Sequence, residues 1–288
     1  TVGCNFKCRF CQNADIAQMP EDQRGLIVGD PGTPQEVVAA AIKGHCRSIS
    51  YTYTEPTIFF EFAYETAKLA QAKGLKNVFV TNGYMTDEAL EMIQPYLDAA
   101  NVDLKAFNER YYREVCGAKL SNVMETLKQM KARGVFLEVT TLIVPGLNDD
   151  SGELEKLAQF LVTDLGPETP WHISRFHPTY KLTDRPPTPL ATLLKARDIG
   201  LKAGLRYVYT GNVPGEDGEN TLCYNCGRIV IERWGFQVRS TALEEGRCRY
   251  CRAVIDGVGL SSQLHPQSSL NYRHSKNHTG CTAISSSR

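Results

Sequence analysis

No apolar run in this 288-residue chain approaches the roughly 20 residues that a membrane-spanning helix requires. The chain also has no net charge, because lysine plus arginine (32) equals aspartate plus glutamate (32). The first absence excludes a helical membrane span in this stretch. The second removes the overall electrostatic argument for a nucleic-acid binder or a membrane-surface protein. A starting methionine is missing too: the chain opens on Thr1-Val2-Gly3. It is therefore expected to be truncated or processed, and a lost upstream targeting segment is compatible with it.

What the chain has is cysteine, 10 residues in all, yet the first three stand without a fourth. Cys4, Cys8 and Cys11 follow a C-x3-C-x2-C spacing, and the next cysteine is Cys46. An odd, tightly spaced set makes a poor disulfide framework, and three ligands are one short of a closed tetrahedral zinc site. A 4Fe-4S cluster takes one thiolate per iron, so three cysteines would leave one iron open to a small molecule. Seven of the ten cysteines fall in C-x2-C or C-x3-C groups. That usage reads as metal ligands in a reducing compartment, and the expected location is cytoplasmic.

A hydrophobic content of 42% and a charged content of 22% are those of ordinary globular protein. The length suits one barrel-like domain with a small appendage. After the cysteine loop, residues 18 to 34 are polar and rich in proline and glycine, which reads as a loop. A strand–helix alternation follows. Thr33 caps a helix that starts at Pro34, with Glu36 completing a capping box. Strands are expected at 47–53, 76–81, 100–105, 135–144, 171–176 and 205–210, and helices at 57–73, 86–96, 121–133, 150–165 and 189–203. Gly74, Gly134 and Gly204 stand as helix stops. Strands separated by single helices give a parallel sheet with right-handed crossovers. Counting a strand that ends at Gly3, about seven β/α steps fall short of a full eight-stranded barrel. The expected fold is therefore α/β, a partial, open TIM-like barrel over residues 1–212.

In such barrels chemistry gathers where the strands end. Those ends read Cys4 to Cys11, Thr54-Glu55-Pro56, Thr81-Asn82-Gly83, Asp103-Leu104-Lys105, Thr140-Thr141 and Ser174-Arg175-Phe176-His177. Strand-end Asn, Gly, Thr and Pro are also ordinary turn residues, and any single exit carries little weight. Six polar exits together point to a ligand site.

A different module is expected over residues 213–256. Cys223-x2-Cys226 and Cys248-x2-Cys251 are separated by 21 residues with two β-like runs. Two such knuckles place four thiolates around one tetrahedral metal, as in a zinc ribbon, although a single iron suits the same four sulfurs. Six arginines face three acids between Thr221 and Ile255, which reads first as a solvated face. From Gly257 the composition turns to Ser, Asn, His and Gln, and residues 257–288 are expected to form a disordered tail. There His265, His274, His278 and Cys281 are expected to bind nothing specific.

With Phe10 before the last cysteine of its motif, the chain resembles the radical S-adenosylmethionine (SAM) enzymes. Tyr51-Thr-Tyr-Thr-Glu-Pro-Thr57, Val80-Thr-Asn-Gly83, Val102-Asp-Leu-Lys105, Val144-Pro-Gly146 and Phe176-His177 resemble successive motifs of the pyruvate formate-lyase-activating-enzyme-like branch. The closest resemblance is to the AmmeMemoRadiSam-system subgroup, which carries a zinc-ribbon-like tail. The likeness covers roughly residues 1–256. It implies 4Fe-4S ligation by Cys4, Cys8 and Cys11, and zinc held by Cys223, Cys226, Cys248 and Cys251. For SAM it implies Phe10 near the adenine, Glu55 at the amino group, and Thr81 and Asn82 at the ribose or carboxylate region. Lys105 would meet the methionine carboxylate and His177 the adenosine. Asp103 matches a position that helps bind a monovalent cation in glycyl-radical activases. Val80 replaces the acid those activases carry before Thr-Asn-Gly, and Tyr53 and Thr54 replace the glycines of a Gly-Gly-Glu motif.

The activity so implied is reductive SAM cleavage to a 5′-deoxyadenosyl radical, hydrogen abstraction from a protein in the manner of a glycyl-radical activase, and an electron donor such as flavodoxin or ferredoxin. Two other readings stay open: radical modification of a small molecule or RNA, and a non-catalytic iron–sulfur or zinc protein. Cys116 reads as a buried structural cysteine more readily than as a substrate-side thiol.

Overall fold

Six parallel strands lie side by side in sequence order, each joined to the next by helical crossovers. The computed structural model describes residues 1–25, 27–213, 217–235 and 237–260. The expected tail from Ser261 onward, with His265, His274, His278 and Cys281, lies outside the described residues.

The strands are β1 (Ser48–Tyr51), β2 (Lys76–Thr81), β3 (Ala99–Asp103), β4 (Phe136–Ile143), β5 (Trp171–Arg175) and β6 (Val208–Gly211). The main crossover helices are α1 (Pro34–Lys43), which leads into β1, then α2 (Phe60–Ala72), α3 (Asp87–Ile93), α4 (Leu120–Ala132), α5 (Ser151–Phe160) and α6 (Leu190–Ala203). β4 shows how the sheet is built. Its eight residues alternate strictly between half-buried and buried, as a strand must when successive side chains face opposite ways. Leu137, Val139 and Ile143 join the core together with Val123, Leu127 and Met130 of α4 and Leu154 and Leu157 of α5. Phe136, Glu138, Thr140 and Leu142 face the other side, where the curved sheet is open.

Local chemistry sets several boundaries. Thr33 Oγ1 accepts from the Glu36 N–H at 3.2 Å while Glu36 Oε2 accepts from the Thr33 N–H at 2.8 Å, the reciprocal capping box that the sequence predicts. In α6, Gly200 sits where a Cβ would stand 2.9 Å from Cε3 of the buried Trp171, so the helix can approach β5 only because that side chain is absent.

Three expectations need correction. No strand is found at Thr1–Gly3, where Gly3 N–H bonds to Ile16 O at 3.0 Å instead of to a neighbouring strand; the parallel sheet has six strands. The segment expected as a loop from Gln18 begins with a helical turn, Met19–Asp22, since proline is tolerated in the first turn, where its missing N–H is not needed. The last barrel strand starts at Val208, not at Leu205. The Leu205 N–H bonds to Gly200 O and the Arg206 N–H to Pro167 O, and these bonds hold both residues out of the ladder.

Beyond β6 lies a three-stranded antiparallel sheet, β7 (Thr221–Leu222), β8 (Ile229–Trp234) and β9 (Gln237–Thr241), and a small hairpin, β10 (Leu243–Glu244) and β11 (Arg247–Cys248). It has a separate small core of Cys223, Val230, Cys248 and Ile255 gathered against Tyr207. No helix among the described residues is long and apolar enough to cross a membrane.

Candidate functional site

The cysteine loop is pinned from several sides. Lys7 N–H bonds to Cys116 O at 2.8 Å, Arg9 N–H to Val115 O at 3.0 Å, and Lys181 N–H to Arg9 O at 3.0 Å. The buried Gln18 donates its side-chain amide to Phe6 O at 3.0 Å. Between these clamps Phe6 meets Tyr84 and Tyr112 edge-on, with ring centroids 5.3 and 6.1 Å apart. Backbone bonds and aromatic packing thus fix the loop that carries the three cysteines.

The three thiols open onto one cleft of about 230 Å³ at the C-terminal ends of the strands. Its lining includes Cys4, Cys8, Cys11, Phe10, Glu55, Thr81, Asn82, Asp103 and Lys105, so all but one of the residues singled out for the cluster and SAM meet there. The exception is His177, which is exposed just past β5 and does not line the cleft. Ser174 and Asn212 wall that side instead. Asn5, Asn13, Gln18 and Asn212 took no role in the sequence reading; isolated polar residues in loops carry no pattern by which to find them.

Glu55 is the hub of the cleft. Only 1% exposed, its Oε1 accepts from the Thr57 N–H at 3.1 Å, the Thr57 hydroxyl at 2.8 Å and the Thr81 hydroxyl at 2.7 Å. Its Oε2 accepts from the Asn82 N–H at 2.8 Å. Burial pushes its carboxyl above the usual range even against these four donors. A carboxylate offers about four acceptor directions, and the uneven division leaves one free on Oε2. Just before it, Tyr53 holds a φ of 72°, the left-handed region that favours glycine. The resembled motif carries glycine in this stretch, where here a tyrosine adopts the left-handed conformation.

On the opposite wall Lys105 Nζ bonds to Asp103 Oδ2 at 2.6 Å and stands 6.0 Å from the Phe10 ring centroid. Burial acts to lower the Lys105 ammonium's affinity for its proton, but Asp103 and the neighbouring thiols outweigh it and the net shift is upward. Asn82 bridges the site: its amide donates to Asn5 Oδ1 at 2.7 Å and lies 3.6 Å from Cys4 Sγ. Burial pushes the Cys4 thiol up to about 12 and the Cys11 thiol upward as well. Without a metal these are neutral thiols; a bound cation would strip their protons outright.

These residues fit a four-iron cluster with one open position. Three cysteines line the cleft and, among the described residues, no fourth does, while the remaining wall offers a cation, hydrogen-bond donors and a spare carboxylate direction for a small zwitterionic ligand.

A second polar array was not legible in the sequence. Parallel register places Asp103, Thr140, His172 and Tyr209 in one row across β3 to β6. His172 Nε2 bonds to Glu138 Oε2 at 2.9 Å, its ring stacks on Tyr209 at 4.9 Å between centroids, and Tyr209 OH meets Thr221 Oγ1 at 3.0 Å. Thus the open face of the sheet carries a polar wall from the cleft to the C-terminal module.

In that module Cys223, Cys226, Cys248 and Cys251 bring their sulfurs within 4.8 Å of one another. The two knuckles repeat the same turn. Cys223 N–H bonds to Arg228 O and Gly227 N–H to Cys223 O, while Cys248 N–H bonds to Ala253 O and Arg252 N–H to Cys248 O, each at 2.8 Å. Four convergent thiols suit one tetrahedral soft-metal ion. Two of the six arginines of this stretch, Arg249 and Arg252, both pair with Glu244 at 3.2 and 2.7 Å.

Comparison with known proteins agrees with this architecture. The radical SAM superfamily profile matches residues 1–161. An uncharacterized protein of Methanocaldococcus jannaschii is 48% identical over 258 residues, 89% of this chain and 76% of its own length. A pyruvate formate-lyase-activating enzyme of Streptococcus mutans is 23% identical over 172 residues, covering 56% of this chain and 64% of that enzyme. Among solved structures, Streptococcus suis SuiB bound to S-adenosylmethionine superposes with a TM-score of 0.58 at 13% identity, over 74% of this chain and 49% of SuiB; at that identity the likeness concerns the fold. With more than half of its length matching the family profile, the chain belongs to the radical SAM superfamily.

Proposed function

We propose that this chain holds a 4Fe-4S cluster on Cys4, Cys8 and Cys11, with SAM at the iron that lacks a cysteine, and that it abstracts hydrogen from a protein substrate. The observation that carries the reading is the convergence of three cysteines, and among the described residues no fourth, with Glu55, Asn82 and Lys105 in one cleft. When bound on Cys4, Cys8 and Cys11, such a cluster would supply one electron for reductive cleavage of the C5′–S bond of SAM. The protein's share is placement. Lys105, oriented by Asp103, receives the methionine carboxylate as a charge-assisted pair. The free direction on Glu55 Oε2 accepts from the SAM ammonium, Thr81 and Asn82 hold that end of the ligand, and Phe10 supplies an apolar wall for the adenine. Ser174 and Asn212, which line the cleft, are better placed for the adenosine end than the exposed His177.

The relationship to pyruvate formate-lyase-activating enzymes supports a protein substrate and a flavodoxin- or ferredoxin-like electron donor in the cytoplasm. Val80, whose side chain offers no ligand atom, argues that the monovalent-cation site of the activases is not kept around Asp103. The four C-terminal thiols are assigned to zinc.

Electron paramagnetic resonance of anaerobically reconstituted, dithionite-reduced protein tests the open iron. The spectrum of a reduced four-iron cluster is expected to change on adding SAM, and Lys105→Ala is expected to need about tenfold more SAM for the same change, the loss of one charge-assisted contact. A spectrum indifferent to SAM would contradict the assignment.

A further inference from the structure

Asn82 lines the cleft, yet its carboxamide is committed to the cysteine loop. It directly follows β2, and its own N–H is held by Glu55 Oε2 at 2.8 Å. Gly83, at φ 71°, turns the chain there, and a Cβ on it would stand 2.8 Å from Val102 Cγ1. The backbone of Tyr84 then fixes the side chain. The Tyr84 N–H donates to Asn82 Oδ1 at 2.9 Å, so the other end of that amide is its NH2 group. Tyr84 O accepts from Asn5 Nδ2 at 2.8 Å, which turns Asn5 Oδ1 toward Asn82, and that oxygen accepts one Asn82 N–H at 2.7 Å. The second N–H is donated to Cys4 Sγ, 3.6 Å away, a hydrogen-bond length for an atom as large as sulfur. The Phe6 N–H reaches the same sulfur at 3.3 Å. Reversing the Asn82 amide would set donor against donor at Tyr84 and acceptor against acceptor at Asn5, so its orientation is determined.

We propose that Asn82 is a positioning residue for the cluster, donating an N–H to the Cys4 sulfur and thereby raising the cluster's reduction potential. The inference rests on the assignment of Cys4 as an iron ligand. A thiolate on a metal has no proton to give and can only accept, which is what the locked Asn82 amide offers it. Reduction adds one electron, supplied from outside by the reductant, and part of that charge falls on the ligand sulfurs. A donor aimed at one of them therefore favours the reduced form, and hydrogen bonds to sulfur are among the factors that set such potentials. Asn82 is only 5% exposed, so the protein rather than water holds its amide. The same bonds leave the carboxamide one acceptor direction, on Oδ1, for a contact with SAM.

The test is a redox titration of the reconstituted full chain without SAM, followed by electron paramagnetic resonance, in wild type, Asn82→Leu and Asn82→Asp, with iron counted in each. Both replacements keep the branched shape of the side chain and remove the donor. Asn82→Leu is expected to keep its iron and to lower the ratio of reduced to oxidised cluster severalfold at a fixed potential; a tenfold change would equal about 59 mV for a one-electron couple. Asn82→Asp, which sets a negative charge against the same sulfur, is expected below wild type as well. With SAM absent, a lost SAM contact can produce neither shift. A potential at or above wild type in either variant with full iron overturns the inference alone. Loss of iron from both variants does so too, since it would make Asn82 a packing residue; where one variant loses iron, the potential of the other decides. Wild-type protein that takes up no four-iron cluster overturns the assignment of the cleft, and this inference with it.

Discussion

Glu55 shows how much of the cleft depends on a single side chain. Its carboxylate ties the exit of β1 to the exit of β2 through Thr57, Thr81 and Asn82. Glu55→Ala would leave those donors buried without an acceptor, at about 1–3 kcal/mol for each group that water cannot reach. A stability loss of about 3 kcal/mol or more is expected from urea unfolding of the full chain, together with weakened SAM binding. A variant within about 0.5 kcal/mol of wild type would show that these hydrogen bonds are replaceable. That Glu55 matters was visible in the sequence, because a carboxylate at a strand exit is conspicuous. Its four donors were not, since they come from two strands whose relative register no local pattern states. Tyr53 marks the opposite limit: the absence of the resembled motif's glycine was plain, and only the backbone shows that Tyr53 adopts a left-handed conformation that favours glycine.

Among the elements, the strand–helix alternation was legible because apolar periodicity and end signals agree. β2 runs from Lys76 to Thr81 as expected, and Thr33 with Glu36 starts α1 by the expected reciprocal bonds. The π-helical turn at Tyr112–Cys116 was not legible, for a single wide turn leaves no repeat in the sequence. Nor was the polar row of the open face, because cross-strand neighbours are set by register alone.

Within that row the Glu138–His172 pair has a pH signature. Burial pushes the Glu138 carboxyl up, but the hydrogen bond and charge of His172 outweigh it and hold the group below the usual carboxylate range. A depressed carboxyl stabilises the folded state above its unfolded pKa of about 4.3, and that contribution is lost as pH falls through the lower folded value. Glu138→Gln is therefore expected to melt below wild type at neutral pH, and the gap should close as the pH falls through and below the carboxylate range. A gap of constant size across that range would show that the charge of Glu138 contributes nothing.

Over the whole molecule, two cysteine sets serve two bodies of structure. The barrel core is large and continuous, whereas the C-terminal module gathers only a handful of buried side chains around its thiols. Small cores of this kind gain stability from a bound metal, and zinc is the ion proposed for these thiols. Cys223→Ala is expected to lose one zinc per chain, measured by elemental analysis, while retaining the iron bound at Cys4, Cys8 and Cys11. Parallel loss of iron would show that the two sites are one folding unit. Cysteine spacing sets the two groups of thiols apart in the sequence, but the polar link through Tyr209 and Thr221 was not legible there, because it depends on where the antiparallel strands dock.

The central claim is that the strand-end cleft cleaves SAM. Anaerobically reconstituted, dithionite-reduced chain incubated with SAM, with 5′-deoxyadenosine measured by chromatography, tests it most directly. The expected result is 5′-deoxyadenosine and methionine in equal amounts from wild type, and none from Cys4→Ala, Cys8→Ala or Cys11→Ala. Wild-type protein carrying a full four-iron cluster yet forming no 5′-deoxyadenosine would contradict it.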